Sequence, residues 1–400
     1  MPSIPTSTRL LNALLGPTVA GQRTPEHVFD LLLSKAEQAG GGTVEGDEAF
    51  LDGFRALLHS YSKVENMTAV GWQTALADLQ LRVQNRLRVM RLLRERPAIG
   101  EEPIASPVFI VGLPRTATTL TREVIARAAG HRAPLLWEMF HTDLEQPERE
   151  RKQRVKSLAQ LLKSTRRLAP KYAAAHGFDP AKPDDCIHLL PHGTHHLRRA
   201  DMPDYRDRLA GHDFAPDYDY LKRALQVLQH GRAPARWILD SPAHLDHLPL
   251  IRATFPDAVI VWIHRDPVTV IGSLCSLVET SMALHVRGPD LHRIGSTWLE
   301  LTADSIERAR KARTVLPRES IIDIPYASLM ADPFGGTPML YERIGARWTD
   351  ADAANLDAAL AGPGIGRAHE YELARYGLST GDVERAFGDY PNTIQQLRMR

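Results

Sequence analysis

Four short, β-rich apolar runs constrain the fold of this chain more than any other feature. They read "VFIVG" (108–112), "RWILD" (236–240), "AVIVWIH" (258–264) and "SIIDIPY" (320–326). Segments with helical periodicity separate them, such as "DYDYLKRALQVLQH" and "GSTWLELTADSIERARKAR". Nearly continuous apolar strands that alternate with helices are typical of a parallel sheet covered by helices on both faces. We therefore predict an α/β fold whose ligands bind beyond the carboxyl ends of the strands.

The first quarter of the chain has a different pattern and predicts a helical N-terminal extension. We assign residues 1–104 to a helical region that packs on the core and residues 105–400 to the α/β domain. In the clearest helix, "GWQTALADLQLRVQNRLRVMRLLRER", apolar residues recur at three- and four-residue spacing while arginines occupy the other face. The five arginines between 82 and 94 favour a solvated helix face over a polyanion site.

Charge and composition exclude several classes of protein. With 49 basic and 48 acidic residues, the net charge of +1 gives no general attraction to nucleic acid or to an anionic membrane. Two cysteines, Cys186 and Cys275, cannot form a disulfide framework. The N-terminus lacks the pattern of a signal peptide, and we find no apolar run long enough for a membrane span. These features predict a cytoplasmic protein, and they leave its oligomeric state open.

The stretch "GLPRTATT" resembles a phosphate-binding loop that has lost its lysine. In the pattern G-x-x-x-x-G-K-[ST], Gly112 is the first glycine, but Ala117 replaces the second and Thr118 replaces the lysine. A strand precedes the loop and a helix follows it, so backbone N–H groups and the helix dipole favour an anion there. Arg115, Thr118 and Thr119 add donors, and an arginine can hold an oxyanion through two hydrogen bonds. The missing lysine disfavours chemistry at a γ-phosphate, as in an ATPase or kinase.

A second group of anion donors follows the strand "VIVWIH". Arg265 comes directly after the strand, Pro267 begins a helix, and Ser273 lies on that helix. These donors suit another phosphate, separate from the first. Together, the two motifs imply a ligand with two separated anionic groups.

The spaced pair "FIVGLPRTATTL" and "HRDPVTVIGS" resembles the two nucleotide-binding signatures of sulfotransferases that use 3′-phosphoadenosine-5′-phosphosulfate (PAPS). The segments "APLLWEM", "RWILDSPAHL" and "YASLMADP" are similar to the bacterial branch of that family, whose motifs are related in style to those of the tyrosylprotein enzymes. The resemblance covers roughly residues 105–390. It implies PAPS as the donor, the bisphosphate PAP as the product, a hydroxyl of a small molecule as the acceptor, and no metal.

The resemblance also implies roles for individual residues. The loop 112–119, with Arg115, Thr116, Ala117, Thr118 and Thr119, corresponds to the 5′-phosphosulfate site. Arg265 and Ser273 correspond to the 3′-phosphate site. Tyr326 is expected to stack near the adenine, and Arg367 lies where the family closes over the 3′-phosphate, although a plain surface turn is the alternative there.

The general base is left open between a carboxylate and a histidine. Glu138 follows a possible short strand, in the region where the related enzymes carry a glutamate base. A structural carboxylate bound to an arginine or a helix N-terminus is the alternative reading. His244, near the end of the strand at 236–240, is the second base candidate. His192 and His196 have the spacing of metal ligands but no clear third ligand, and we expect no metal there.

Two departures from the family pattern bear on function. Asp240 stands where the related enzymes carry a lysine that helps to stabilise the sulfonyl group, so it must be protonated or paired, for instance with Arg236, His244 or an arginine of "HHLRRAD". It could instead bind a cationic acceptor. An alternative function is therefore a sulfotransferase fold with altered chemistry, or nucleotide binding without turnover. Ala117 fits the loop if its backbone has a negative φ.

Overall fold

The structure is a computed structural model that describes residues 4–20, 23–44, 47–361 and 372–398. Its N-terminal part is helical, as predicted, with α1 (Thr6–Ala20), α2 (Pro25–Gly40), α3 (Glu48–Ser62), α4 (Ala69–Glu95) and α5 (Ala98–Glu101).

Strands and helices then alternate along the rest of the chain. The strands are β1 (Val108–Gly112), β2 (His131–Arg132), β3 (Arg236–Asp240), β4 (Val259–His264) and β5 (Ile321–Pro325). The helices are α6 (Thr118–Ile125), α7 (Leu136–Phe140), α8 (Glu148–Leu168), α9 (Pro170–His176), α10 (Pro203–Ala210), α11 (Ala215–Gln229), α12 (Leu248–Thr254), α13 (Pro267–His285), α14 (Leu291–Val315), α15 (Tyr326–Ala331), α16 (Pro333–Arg343), α17 (Asp350–Leu360), α18 (Thr380–Phe387) and α19 (Tyr390–Arg398). Short 3₁₀ helices span Cys186–Leu189, Thr194–Arg198, Pro242–His247, Arg318–Ser320 and Leu373–Tyr376.

The five strands form one parallel sheet in the order β2-β3-β1-β4-β5, which confirms the predicted α/β fold. The four predicted strands are β1, β3, β4 and β5. The residues before Glu138 were expected to form a short strand, and this prediction was wrong because they begin α7 instead. The additional strand, β2, comprises only two residues at the edge of the sheet.

Alternate residues of a strand point to opposite faces of the sheet, and buried apolar side chains cover both faces. Phe109, Val111 and Trp262 belong to one cluster of buried apolar side chains, and Ile110 and Val261 belong to another. The first cluster also contains Phe54, Trp72 and Leu79 of the N-terminal helices, so the N-terminal helices and one face of the sheet share a continuous core. The division between residues 104 and 105 remains a prediction.

Three of the five arginines of α4 are not solvated, contrary to the sequence-based prediction, whereas Arg94 is exposed. Arg82, Arg86 and Arg88 are all buried. Arg86 donates two hydrogen bonds to Asp47, at 2.7 and 2.8 Å, and Arg82 bonds the Asp78 carboxylate at 2.9 Å. Pairing with carboxylates, and for Arg82 with the carbonyls of Ile187 and Leu190, offsets the cost of burying these cations.

Helix α13 is long and apolar enough to cross a membrane by length and composition, although we expected no such run. Most of its length is buried, and it packs against α14, α4 and α18. The N-terminus of α4 is bonded to the C-terminal end of α13. Thr68 Oγ1 donates to Leu284 O at 2.9 Å, and Thr68 N donates to His285 O at 2.8 Å. In this structure α13 is therefore a core helix that joins the N-terminal region to the sheet.

Gly71 allows this close approach of α4 and α13, and its substitution provides a test of the contact. A Cβ at position 71 would lie 2.3 Å from His285 O and 2.5 Å from His285 Cα, so backbone atoms would have to move. We expect Gly71→Ala to lower the free energy of unfolding by about 1–3 kcal/mol, as measured by urea denaturation. Gly16→Ala is the matched control, because a Cβ there meets nothing within 4 Å. Equal stability of the two variants would contradict this packing.

Candidate active site

The phosphate-type loop runs from the end of β1 to the start of α6. Gly112 is required at its beginning, because a Cβ there would lie 2.6 Å from Ile263 O and 2.8 Å from Thr116 Oγ1. Thr116 is fully buried, and its hydroxyl donates to Leu113 O at 2.8 Å, which closes the loop on itself. The side chain of Thr116 therefore shapes the loop. Thr118 is buried at the helix start, whereas Thr119 is exposed.

Two non-glycine residues of the loop adopt left-handed backbone conformations. Arg115 has φ 69° and Ala117 has φ 65°. The condition of a negative φ at Ala117 is therefore not met, and alanine occupies the left-handed conformation through which the chain turns into α6. Such conformations cost of order 1–3 kcal/mol each and are concentrated at functional sites, including backbone concavities that bind anions.

The structure brings Arg115, Arg265, Ser273 and Tyr326 together. Arg115 Nε donates to Ser273 Oγ at 3.2 Å, and Arg265 donates to the carbonyl oxygen of Arg115. The Arg265 guanidinium lies over the Tyr326 ring, 4.1 Å from its centroid. The residues of the two motifs, which were predicted to bind separate phosphates, are thus in direct contact. Arg367 lies outside the described residues.

Parallel strand pairing explains this convergence. Gly112 pairs with Ile263, and His264 pairs with Pro325, so the residues that follow β1, β4 and β5 all emerge at the same edge of the sheet. Among the described residues, neither Arg115 nor Arg265 forms an ion pair with a carboxylate, in contrast to the buried arginines of α4. Two guanidinium groups without carboxylate partners form a site for an anionic ligand.

Asp240, at the end of β3, is paired with an arginine that sequence analysis did not consider. Arg122 Nη1 donates to Asp240 Oδ1 at 2.7 Å, and both side chains are almost fully buried. The partners considered from the sequence bind elsewhere: Arg236 donates to the carbonyls of Ser106 and Ile344, and His244 bonds Tyr218 and Cys186. Arg199 of the "HHLRRAD" segment pairs with Asp78. Arg122 lies on α6, one turn after the phosphate-type loop, so a buried cation does stand beside position 240.

A pair of carboxyl groups next to Asp240 was also missed. Asp185 precedes the 3₁₀ helix Cys186–Leu189 and accepts a hydrogen bond from Ile187 N at 3.0 Å. Burial raises the pKa of Asp185 to about 7, and the negative charge of Asp240 adds to this shift. Burial also raises the pKa of Asp184 to about 6. No motif in the sequence distinguishes these residues, since "DD" occurs in many surface loops.

Glu138 lies at the start of α7 and is almost fully buried between two arginines. Its carboxylate accepts hydrogen bonds from Arg132 at 2.9 Å, from Arg232 at 2.5 Å and from Leu135 N at 3.0 Å. These residues line a cavity that shares no residue with the phosphate-type loop. Its role as a base remains a prediction, and the observed contacts are those of the alternative structural carboxylate.

His244 is fully buried, and both of its ring nitrogens have protein partners. Nδ1 lies 2.8 Å from the Tyr218 hydroxyl, and Nε2 lies 3.0 Å from Cys186 Sγ. Burial lowers the pKa of His244 to about 3. A role in proton transfer, which remains a prediction, therefore requires one of these bonds to break.

His192 is grouped with His212 and Asp217 rather than with His196. Its Nδ1 lies 2.8 Å from Asp217 Oδ1, and His212 Nε2 lies 2.9 Å from Asp217 Oδ2. These three side chains have the geometry of a possible metal site and are joined by hydrogen bonds, while His192 Nε2 is buried without a hydrogen-bond partner among the described residues. His196 Nε2 lies 3.1 Å from the carbonyl of Pro191 instead.

A second cavity adjoins the phosphate-type loop at the carboxyl ends of β1 and β3. Gly112, Leu113 and Pro114 form one wall, and Pro242 and Ala243 form another. The remaining wall contains both apolar and polar side chains, and its residues are Ile187, Thr194, His195, Arg198, Leu245, Asp246, Leu274, Trp298, Leu301, Thr302 and Ser305. It lies at the edge of the sheet where parallel α/β folds bind ligands, and its volume is about 40 Å³.

The parallel sheet and the arginine-bearing, lysine-free loop between β1 and α6 define an α/β fold with a phosphate-type loop. The model of the Sulfotransferase family matches residues 107–350, and the chain belongs to this family. Sulfotransferase STF1 from Mycobacterium tuberculosis H37Rv is 26% identical, with a TM-score of 0.75 over 90% of this chain and 98% of that one. Sulfotransferase STF9 from Mycobacterium avium is 24% identical, with a TM-score of 0.82 over 91% of this chain and 96% of that one. No curated protein matches the sequence significantly.

The buried Arg122–Asp240 pair predicts the outcome of restoring the expected lysine. Asp240→Lys would place two cations side by side in a buried site, and we expect it to lower the free energy of unfolding by about 3–5 kcal/mol. Asp240→Lys combined with Arg122→Leu should recover most of this loss in urea denaturation. Equal losses in the single and the double variant would show that charge pairing does not govern this site.

Proposed function

We propose that the protein transfers a sulfonyl group from PAPS to a hydroxyl of a small-molecule acceptor. The observation that carries the proposal is the contiguous group of Arg115, Ser273, Arg265 and Tyr326 at the ends of β1, β4 and β5. It offers two cations without carboxylate partners and an aromatic ring at one edge of the sheet. A nucleotide with anionic groups at both its 5′ and 3′ positions fits this donor set.

The residues of the loop suit a sulfonyl donor better than a nucleoside triphosphate. Thr118 stands where a lysine would contact the β- and γ-phosphates, and Arg115 supplies a planar guanidinium instead. The donor carries its transferable group on a 5′-phosphate, which gains negative charge as that group leaves. The Arg115 guanidinium and the N–H groups at the start of α6 stabilise negative charge at this position.

Arg265 and Tyr326 are assigned to the other end of the donor. Arg265 is held over the Tyr326 ring and against the loop carbonyl of Arg115, which orients its remaining N–H groups. We assign these groups to the 3′-phosphate and the tyrosine ring to the adenine. The acceptor is assigned to the cavity beside Leu113 and Pro114.

Nucleotide binding without turnover is the second candidate, and Asp240 was the reason to consider it. The pairing of Asp240 with Arg122 weakens that reason, because the carboxylate is compensated and a buried cation stands beside it.

Selectivity for the 3′-phosphate provides the test. We expect the wild type to use PAPS far better than adenosine 5′-phosphosulfate, which lacks that group. Arg265→Ala should lower kcat/KM for PAPS by about 10- to 150-fold, the equivalent of a lost charge-assisted hydrogen bond, with little effect on the dephosphorylated donor. The acceptors offered would be a mixture of alcohols and phenols, and mass spectrometry of the reaction would detect the sulfonated product.

Arg293→Ala is the matched control, because this arginine forms an exposed ion pair with Asp201. An unchanged preference for PAPS in Arg265→Ala would refute the 3′-phosphate assignment. The absence of transfer from either donor to any acceptor would favour binding without turnover.

A further inference from the structure

The outward face of α1 is apolar. Leu10 and Leu14 are 61% and 69% exposed, which places them among the four most exposed large apolar side chains of the described residues. Ala13 and Pro17 are exposed beside them at helical spacing, so the four side chains form one stripe. Single exposed leucines are common on protein surfaces, whereas a contiguous apolar stripe marks a surface that another molecule covers.

The outward face of α8 is cationic. Residues 148–171 contain nine basic and two acidic residues, a net charge of +7 in a chain whose total is +1. Steps of three, four or seven residues separate the exposed cations of one helix face, which are Arg149, Lys152, Lys156, Lys163 and Arg167. Among the described residues, Lys152 alone of these five forms an ion pair, with Glu148. The positive charge of this face is therefore largely uncompensated.

The two faces adjoin each other. Thr8 Oγ1 on α1 donates to the carbonyl oxygen of Leu168, the last residue of α8, at 3.0 Å. Leu11 and Leu168 both pack against a small core that contains Ala169. Thr8 is buried and Leu11 is half-buried, so these contacts use the inner side of α1. The apolar stripe is left in solvent, next to the cationic end of α8.

We propose that the apolar stripe of α1 and the cationic face of α8 together bind the surface of an anionic lipid bilayer. This inference does not depend on the sulfonyl transfer proposed above. Leu10 and Leu14 enter the boundary between the headgroups and the acyl chains, and the lysines and arginines of α8 lie against the anionic headgroups. The protein thereby lies on the bilayer and does not span it.

A bilayer is complementary to both halves of this surface, whereas other partners suit only one half. Nucleic acid or another soluble polyanion would neutralise the cations but leave Leu10 and Leu14 in water. A second copy of the chain, related by a two-fold axis, would cover the leucines but bring the cationic faces of the two copies towards each other. An anionic bilayer offers apolar depth and negative charge in the same place.

Vesicle binding provides the first test. We expect the full chain to co-sediment with vesicles of phosphatidylcholine that contain about 30% phosphatidylglycerol, and not with vesicles of phosphatidylcholine alone. The affinity should fall at least tenfold when the salt concentration rises from about 0.1 to 0.5 M, because screening weakens the attraction of the cations to the headgroups.

Two sets of substitutions separate the contributions of charge and apolar contact. The combined variant Lys156→Gln, Lys163→Gln and Arg167→Gln removes three exposed cations that have no ion pair, and we expect it to lower vesicle affinity about 100-fold. Leu10→Gln combined with Leu14→Gln leaves the charge unchanged and should lower the affinity at least tenfold. Glutamine keeps a high helix propensity, so circular dichroism and the thermal midpoint should match those of the wild type.

Matched control variants lie elsewhere on the molecule. Arg127→Gln, Arg318→Gln and Arg347→Gln together remove the same charge from exposed positions without ion pairs among the described residues. Val315→Gln combined with Met339→Gln replaces two equally exposed apolar side chains. Both controls should bind the anionic vesicles within about twofold of the wild type, because single dispersed side chains do not form a binding surface.

Three results would overturn this inference. The first is no binding of the wild type to the anionic vesicles, or equal binding by the controls and the α1 and α8 variants. The second is tighter binding to heparin or duplex DNA that the leucine substitutions leave unchanged, which would assign the surface to a soluble polyanion. The third is a dimer in sedimentation velocity that dissociates in the leucine variant, which would assign the surface to a second copy of the chain.

Discussion

The parallel pairing of β1 with a neighbour on each side is the constraint on which the rest of this site depends. Gly112 pairs with Ile263 on one side, and Ile110 pairs with Asp240 on the other. Because parallel strands end at the same edge of a sheet, the loop after β1 lies between two groups of side chains that are far apart in the sequence. Buried apolar residues on both faces hold this register, since a slip by one residue would exchange the two faces.

The two sides of β1 differ in charge. Towards β4 stand Arg115 and Arg265, which have no carboxylate partners among the described residues. Towards β3 stand Asp184, Asp185 and Asp240, with Arg122 buried among them. The phosphate-type loop separates the two.

Sequence reasoning succeeded where the signal was local. The strands β1, β3, β4 and β5 were predicted because each is a continuous apolar run. It failed where partners are distant along the chain. Arg122 and Asp240 are 118 residues apart, and nothing in either segment indicates that they pair. The arginines of α4 were assigned to a solvated face for the same reason, because Asp47 lies in another element. The left-handed conformation of Ala117 could not be predicted from an alanine, which normally avoids it.

The central claim is that a phosphate-type loop without its lysine, joined to Arg265, binds a nucleotide with anionic groups at its 5′ and 3′ positions. Calorimetric titration of the full chain with adenosine 3′,5′-bisphosphate, using ADP and ATP as controls, tests it most directly. The account predicts tight binding of the bisphosphate and at least tenfold weaker binding of ADP and ATP, about 1.4 kcal/mol or more. Equal affinity for the three nucleotides, or a preference for ATP, would contradict it.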